Sequence, residues 1–156
     1  MPSSTKYTIA LWEKTIDVQI HFNNLCLRVR SLAISLLGVM VGASAVSYKY
    51  GGALQLCNIT LPTASILIFI EIVVWIAFYL MDRFWYHELL RGAVQHGLKI
   101  EDRIKETEPS ISLTNAIKTQ SHSSLNMTAG TKLNFFYLGI LFVLVVGELF
   151  LICAAQ

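Results

Sequence analysis

Charge is what this sequence has least of: Asp, Glu, Lys and Arg together make up 14% of its 156 residues, against 54% hydrophobic ones. A soluble domain of this size carries roughly a quarter charged residues, so the composition points to a bilayer as solvent. Cysteine is scarce as well. Cys26, Cys57 and Cys153 are odd in number, widely spaced and without a C-x-x-C pair, which excludes a disulfide framework and reads as structural thiols. Met1 to Arg30 lacks the basic start, short apolar run and small-residue cleavage site of a signal peptide, so the N-terminus is expected to be retained and the first apolar run to act as a signal anchor. Catalytic signatures are missing too: no Ser-His-Asp arrangement, phosphate loop or paired carboxylates occur in the polar parts, and His21, Cys26 and His122 are not spaced as a metal site. Neither an enzyme nor a metal or other cofactor is expected. A net charge of +2 gives no reason to expect DNA as a partner.

Long apolar runs are what is present. Residues 31–50 form the first, with no charge from Ser31 to Tyr48, a length of about 27 Å as a helix at 1.5 Å per residue. Within it Gly38 and Gly42 make a G-x-x-x-G pair which, with Ser35, offers another helix backbone a close approach, or else represents ordinary small residues of a membrane helix. Residues 62–81 form the second run, with Pro62 in its first turn and Trp75, Phe78 and Tyr79 grading into an aromatic belt that Phe84, Trp85 and Tyr86 extend. Residues 134–154 form the third, entered through Phe135, Phe136 and Tyr137. Between the first two runs, residues 51–61 read as a short exposed loop, with Gly51, Gly52 and Asn58 suited to a tight connection. The sequons at Asn58 and Asn126 carry no assigned role.

Lys and Arg set the orientation. Four precede the first span, one (Lys49) lies at its far end beside the first loop and seven lie between Arg83 and Lys132. The positive-inside rule then places residues 1–30 and 82–133 in the cytoplasm, with the loop and the C-terminus external. Ile9, Trp12, Ile16, Ile20 and Leu27 recur at helical spacing opposite Glu13, Lys14, Asp17 and Asn24, which predicts an amphipathic helix running into the first span, lying on lipid or against a neighbouring subunit. The second span continues without a breaker to about Glu106, so a helical extension is expected, with a solvated Glu101–Lys105 pair over Val94, Leu98 and Ile104. Residues 109–131, rich in Ser, Thr and Asn, read as a loop holding one short helical turn. The expected fold class is therefore an all-α integral membrane protein with three transmembrane helices, an N-terminal amphipathic helix and a cytoplasmic extension of the second span.

Two acids sit inside the spans, Glu71 near the middle of the second and Glu148 in the outer part of the third. They are candidates for a pore lining, a proton-sensitive site or a subunit contact, or for a plain interhelical hydrogen bond, and one side-chain length would bridge their difference in depth. Gly38 and Gly42 are candidate oligomer contacts. Arg83, His87 and Arg91, at i, i+4 and i+8, place three basic or titratable groups on one face below the membrane, as snorkelling anchors, a lipid-headgroup site or a pH-sensitive contact. Arg91 and His96 match the R-x4-H spacing of HEPN ribonucleases, a weak pattern on its own.

Residues 11–38 (LWEKTIDVQIHFNNLCLRVRSLAISLLG), 82–101 (DRFWYHELLRGAVQHGLKIE) and 131–140 (TKLNFFYLGI) together resemble the RipA family of octameric bacterial membrane proteins. The resemblance implies a multi-pass protein of the bacterial cytoplasmic membrane, a ring of eight subunits and a link to growth inside host cells, hence to virulence. It implies no reaction and transfers no catalytic residue. A second resemblance is to SLATT-type membrane effectors of anti-phage defence and to the octameric, HEPN-like membrane partner of RNA-guided RNA nucleases, with other membrane or defence proteins as partners; the third span departs from the two-span effectors. The function expected is a ring-forming scaffold or pore in the lipid bilayer, with a membrane-perturbing defence effector and a membrane ribonuclease as the alternatives.

Overall fold

A computed structural model of the protein describes residues 3–56, 59–123 and 127–154. The chain is nearly all helical. Helix α1 runs from Ser3 to Tyr50, strands β1 (Ala53–Leu56) and β2 (Ile59–Pro62) follow, and α2 occupies Thr63–Met81. A π-turn over Asp82–Tyr86 joins α2 to α3 (His87–Ile104), and α4 (Leu113–Ser123) and α5 (Ala129–Ala154) complete the fold. Three helical stretches, Thr5–Tyr50, Thr63–Ile104 and Ala129–Cys153, are long and apolar enough to cross a membrane.

The expected exposed loop over 51–61 is instead an antiparallel hairpin in which Ala53 pairs with Pro62 and Gln55 with Thr60. Gly52 lets the chain leave α1, because its φ of +65° is one that a side chain disfavours. Pro62 closes β2 rather than opening α2. The first residue of α2, Thr63, donates its amide to the Gly52 carbonyl and its hydroxyl to the Gly51 carbonyl, at 3.2 and 2.9 Å. These bonds hold the start of α2 beside the end of α1.

The residues form two compact units. The first, here the span unit, comprises Arg28–Met81 and Asn134–Gln156. Its buried positions follow the alternating three- and four-residue spacing by which membrane helices pack at small crossing angles. On α1 these are Val29, Ala33 and Ser44, with Leu37 and Met40 half-buried; on α2 they are Ala64, Ile68, Glu71 and Trp75, with Ser65 buried beside Ala64; on α5 they are Tyr137 and Leu144. The outward positions are large and apolar, among them Val39, Phe69, Val73, Phe142 and Phe150. Hydrocarbon suits such a surface and water does not. Cys26 is buried and Cys153 exposed; Cys57, with Asn58 and Asn126 of the sequons, lies outside the described residues.

The other unit comprises Met1–Leu27 and Asp82–Leu133. Of the expected apolar stripe on α1, Ile9, Trp12 and Ile16 are half-buried within this unit and the rest is exposed. Ile20 and Leu27 are more than half exposed, at 54% and 52%, while Thr15 and Cys26 are buried and Trp12 and Gln19 half-buried. Polar residues share the inner seam because α3 presents polar partners to it: Gln19 donates to the Ala93 carbonyl and Trp12 to Glu101. Gly97 is buried beside Gln19, and a Cβ there would collide with the Gln19 amide and reach the Thr114 hydroxyl at 3.0 Å. Gly97→Leu is expected to destabilise this unit by about 2 kcal/mol through overpacking. Gly97→Ala, whose helix propensity repays about 1 kcal/mol, should do much less. Thermal unfolding of the detergent-solubilised variants checks the order, and equal midpoints would show that the contact is not tight.

Two further expectations are corrected. Glu101 is not part of a solvated pair, since it is buried and Lys105 bonds Asp102 instead, at 3.1 Å. Residues 113–123 form a helix of three turns rather than a loop with one turn. The two corrections share a cause: Glu101 accepts the backbone amides of Thr114 and Asn115 at 2.7 and 3.0 Å, so a carboxylate on α3 satisfies the first amides of α4.

Candidate functional site

The polar groups enclosed by the span unit are its most unusual chemistry. Three bonds set the register of α2 on α5: Ser65 donates to Glu148, Trp75 Nε1 donates to the Tyr137 carbonyl at 2.9 Å, and the Tyr79 hydroxyl bonds Asn134 Oδ1 at 3.3 Å. Numbers rise along α2 as they fall along α5, so the helices are antiparallel. Glu71 then lies about 9 Å along α2 from Ser65 and faces the level of Leu141 and Leu144. The expected bridging of Glu71 and Glu148 does not occur, because the antiparallel register gives Glu148 to Ser65 and sets apolar leucines opposite Glu71.

Glu71 is 3% exposed and neither carboxyl oxygen has a hydrogen-bond partner. Ser44 is 4% exposed and its hydroxyl is likewise unpartnered. Counted from the tie between Thr63 and Gly51, Ser44 lies about 10 Å and Glu71 about 12 Å along their helices, so the two polar groups share a level. Glu148 keeps one oxygen, Oε2, unpartnered. A charge at such a depth costs about 2.5 kcal/mol or more, which makes an enclosed, unsatisfied acid a functional candidate rather than a packing device. Within one copy of the chain this acid is enclosed.

Toward the other end of the spans, aromatic rings close the interior. Trp75, placed in the aromatic belt by its sequence position, is instead 2% exposed, with ring centroids 5.1 Å from Tyr137 and 5.9 Å from Phe136. Tyr79 completes the group at 5.4 Å from Tyr137. Tryptophan fits there because its only polar atom, Nε1, has a carbonyl to bond.

In the other unit, Arg83, His87 and Arg91 are brought to one cleft of about 410 Å³, shared with Glu88 and the first residues of α5, Ala129 and Gly130. The π-turn contributes to this. Its wider winding lets Arg83 reach Glu88 at 3.1 Å, a pairing five residues apart that an α-helix would place on different faces. Arg91 reaches the same carboxylate at 3.5 Å. Arg91 and His96 are not brought together: five residues of straight helix separate them by about 140°, and His96 lies in another cleft, beside Leu11, Val18 and Phe22 of α1.

Gly38 and Gly42 lie off the buried stripe of α1, with nothing within 4 Å of where their Cβ atoms would be. Ser35 is exposed as well. The G-x-x-x-G pair therefore packs nothing within the chain.

Spacing alone missed Ser44, Ser65 and Glu101. Ser44 had a legible signal, since it continues the three- and four-residue stripe from Ala33 through Leu37 and Met40. Glu101 had none, because its partners lie far away in sequence.

Three helices able to cross a bilayer, the first two joined by a hairpin, are consistent with a multi-pass helical membrane protein. No family model, curated protein or solved structure matches the chain.

Proposed function

We propose that the chain assembles into a homo-oligomeric ring in the bacterial cytoplasmic membrane and serves there as a scaffold or a pore. The amphipathic N-terminal half of α1 and the helical extension of α2 then lie in the cytoplasm, where the excess of Lys and Arg favours them, and the hairpin and C-terminus lie outside. The observation that carries this reading is the outward position of Gly38 and Gly42. Small residues in a span favour close helix approach, and inside one protomer no helix takes up that approach. Ile34 and Val41, exposed on the same side of α1, provide the apolar surroundings of such a contact. A second copy meeting this face repeatedly around an axis closes a ring. The number eight comes from the RipA resemblance.

The oligomeric mass of detergent-purified protein, with imaging of the same particles, tests the reading. A discrete ring is expected, and Gly38→Leu with Gly42→Leu should break it into smaller species without loss of helix content. A wild-type monomer or dimer would remove the proposal. Ion flux from reconstituted liposomes separates a pore from a scaffold.

A further inference from the structure

Glu71 is enclosed by the protomer's own helices, so a ring of protomers leaves its chemistry unexplained. What surrounds it narrows the ligand. Among the described residues of the span unit, the unpartnered buried side-chain polar atoms are all oxygens: Ser44 Oγ, both carboxyl oxygens of Glu71 and Glu148 Oε2. Oxygens alone suit a proton or a hard cation. Ser44 is the polar group at the level of Glu71, with no hydrogen bond between them, and the inward side chains of α5 at that level are Leu141 and Leu144. A carboxyl and one hydroxyl fall well short of the six or more oxygens that a hard cation gathers. A proton needs one oxygen. A serine hydroxyl also serves either form of the acid, accepting from the carboxylic acid and donating to the carboxylate. The other titratable side chains of the span helices stand apart. From Ser31 to Ser47 α1 has none; on α2 Tyr79 lies about 12 Å farther along; on α5 Tyr137 belongs to the aromatic layer and Glu148 is held by Ser65.

We propose that Glu71 is a proton-binding carboxyl internal to each protomer, with Ser44 as the hydroxyl that accompanies it and the Trp75–Tyr137 layer bounding it on the side away from the hairpin.

The test uses full-length protein reconstituted in phosphatidylethanolamine–phosphatidylglycerol vesicles and treated with dicyclohexylcarbodiimide. This reagent enters bilayers and adds to a carboxyl group that carries its proton, and mass spectrometry of the peptides locates the adduct. Glu71 should be labelled near neutral pH, while surface acids such as Glu13 and Asp102 are not, and its labelling should fall at least tenfold as pH rises. Ser44→Ala should move the pH of half-labelling by threefold or more in proton concentration, an effect that a hydroxyl serving only as packing would not produce. Glu71→Gln should lose that one adduct. Absence of Glu71 labelling from pH 5 to 9, or labelling insensitive to pH, would overturn the proposal. Protection by sodium chloride but not by choline chloride would also overturn it, by making a metal cation the ligand. Labelling is read peptide by peptide on whatever assembly is present, so its outcome is independent of whether a ring forms.

Discussion

Glu101→Ala is expected to release α4. The carboxylate accepts Trp12 Nε1 at 3.1 Å as well as the two amides that begin α4, so three donors depend on it. Hydrogen bonds to a charged group contribute about 1.5–3 kcal/mol each, and a buried donor left without a partner costs a similar amount. The negative charge also lies at the positive end of the α4 dipole. A loss on the order of 3 kcal/mol follows, which is roughly a 150-fold increase in local opening. Hydrogen exchange at residues 116–120 reads that opening directly. Glu101→Gln should cost about half as much, because one amide oxygen still accepts while the NH2 group faces a donor. Unchanged exchange in the Ala variant would show that α4 is held by other contacts.

The same carboxylate predicts a pH dependence. Burial pushes its pKa up, but the hydrogen bonds from Thr114, Trp12 and Asn115 outweigh burial and hold it below the ordinary 4.5. A group whose folded pKa is depressed contributes stability above its unfolded value and loses it as pH falls through the folded one. Exchange in α4, corrected for intrinsic rate, should therefore accelerate as pH drops below about 4.5 in the wild type and stay flat over that range in Glu101→Gln.

Length and hydropathy make three spans legible in the sequence, since nothing else explains so many uncharged residues in a row. The hairpin escaped that reading. Its Gly51-Gly52 pair marked a turn correctly, but strands as short as Ala53–Leu56 are too brief for a period-two pattern to stand out. Helix α4 escaped for a different reason. Its Ser, Thr and Asn residues favour turns when their own side chains compete for the backbone, and what overrides them is a glutamate on another helix.

The interior was legible only in part. The rarity of acids in spans makes Glu71 stand out at once, yet which group faces it depends on the register between helices, and side-chain bonds such as Trp75 to Tyr137 set that register. The stripe on α1 shows the same limit. Hydrophobicity grouped Ile20 and Leu27 with Trp12 on one face, whereas within this unit Trp12 turns toward Glu101 and Ile20 and Leu27 stay exposed. Periodicity finds a helix face, but only the chemistry of the opposing element decides whether that face turns inward.

Trp75→Ala is expected to have the largest effect within the spans. The side chain is 2% exposed, meets the rings of Phe136 and Tyr137 and bonds a backbone carbonyl of α5, so its removal takes away packing and a register-setting contact together. Large aromatic to Ala changes in a tight interior cost about 3–5 kcal/mol. In lipid the apolar transfer part of that cost shrinks, because hydrocarbon is as good a solvent as the interior; the cavity and the lost contacts remain. Trp75→Phe should cost about 1 kcal/mol, the bond to Tyr137 without most of the packing. Phe142→Ala is the matching control: Phe142 is 70% exposed on the outer side of α5 and should change stability by less than about 0.5 kcal/mol. Survival of helical circular dichroism on heating in one detergent compares all three. A Trp75→Ala variant as stable as Phe142→Ala would return Trp75 to the aromatic belt and dissolve the boundary drawn beneath Glu71.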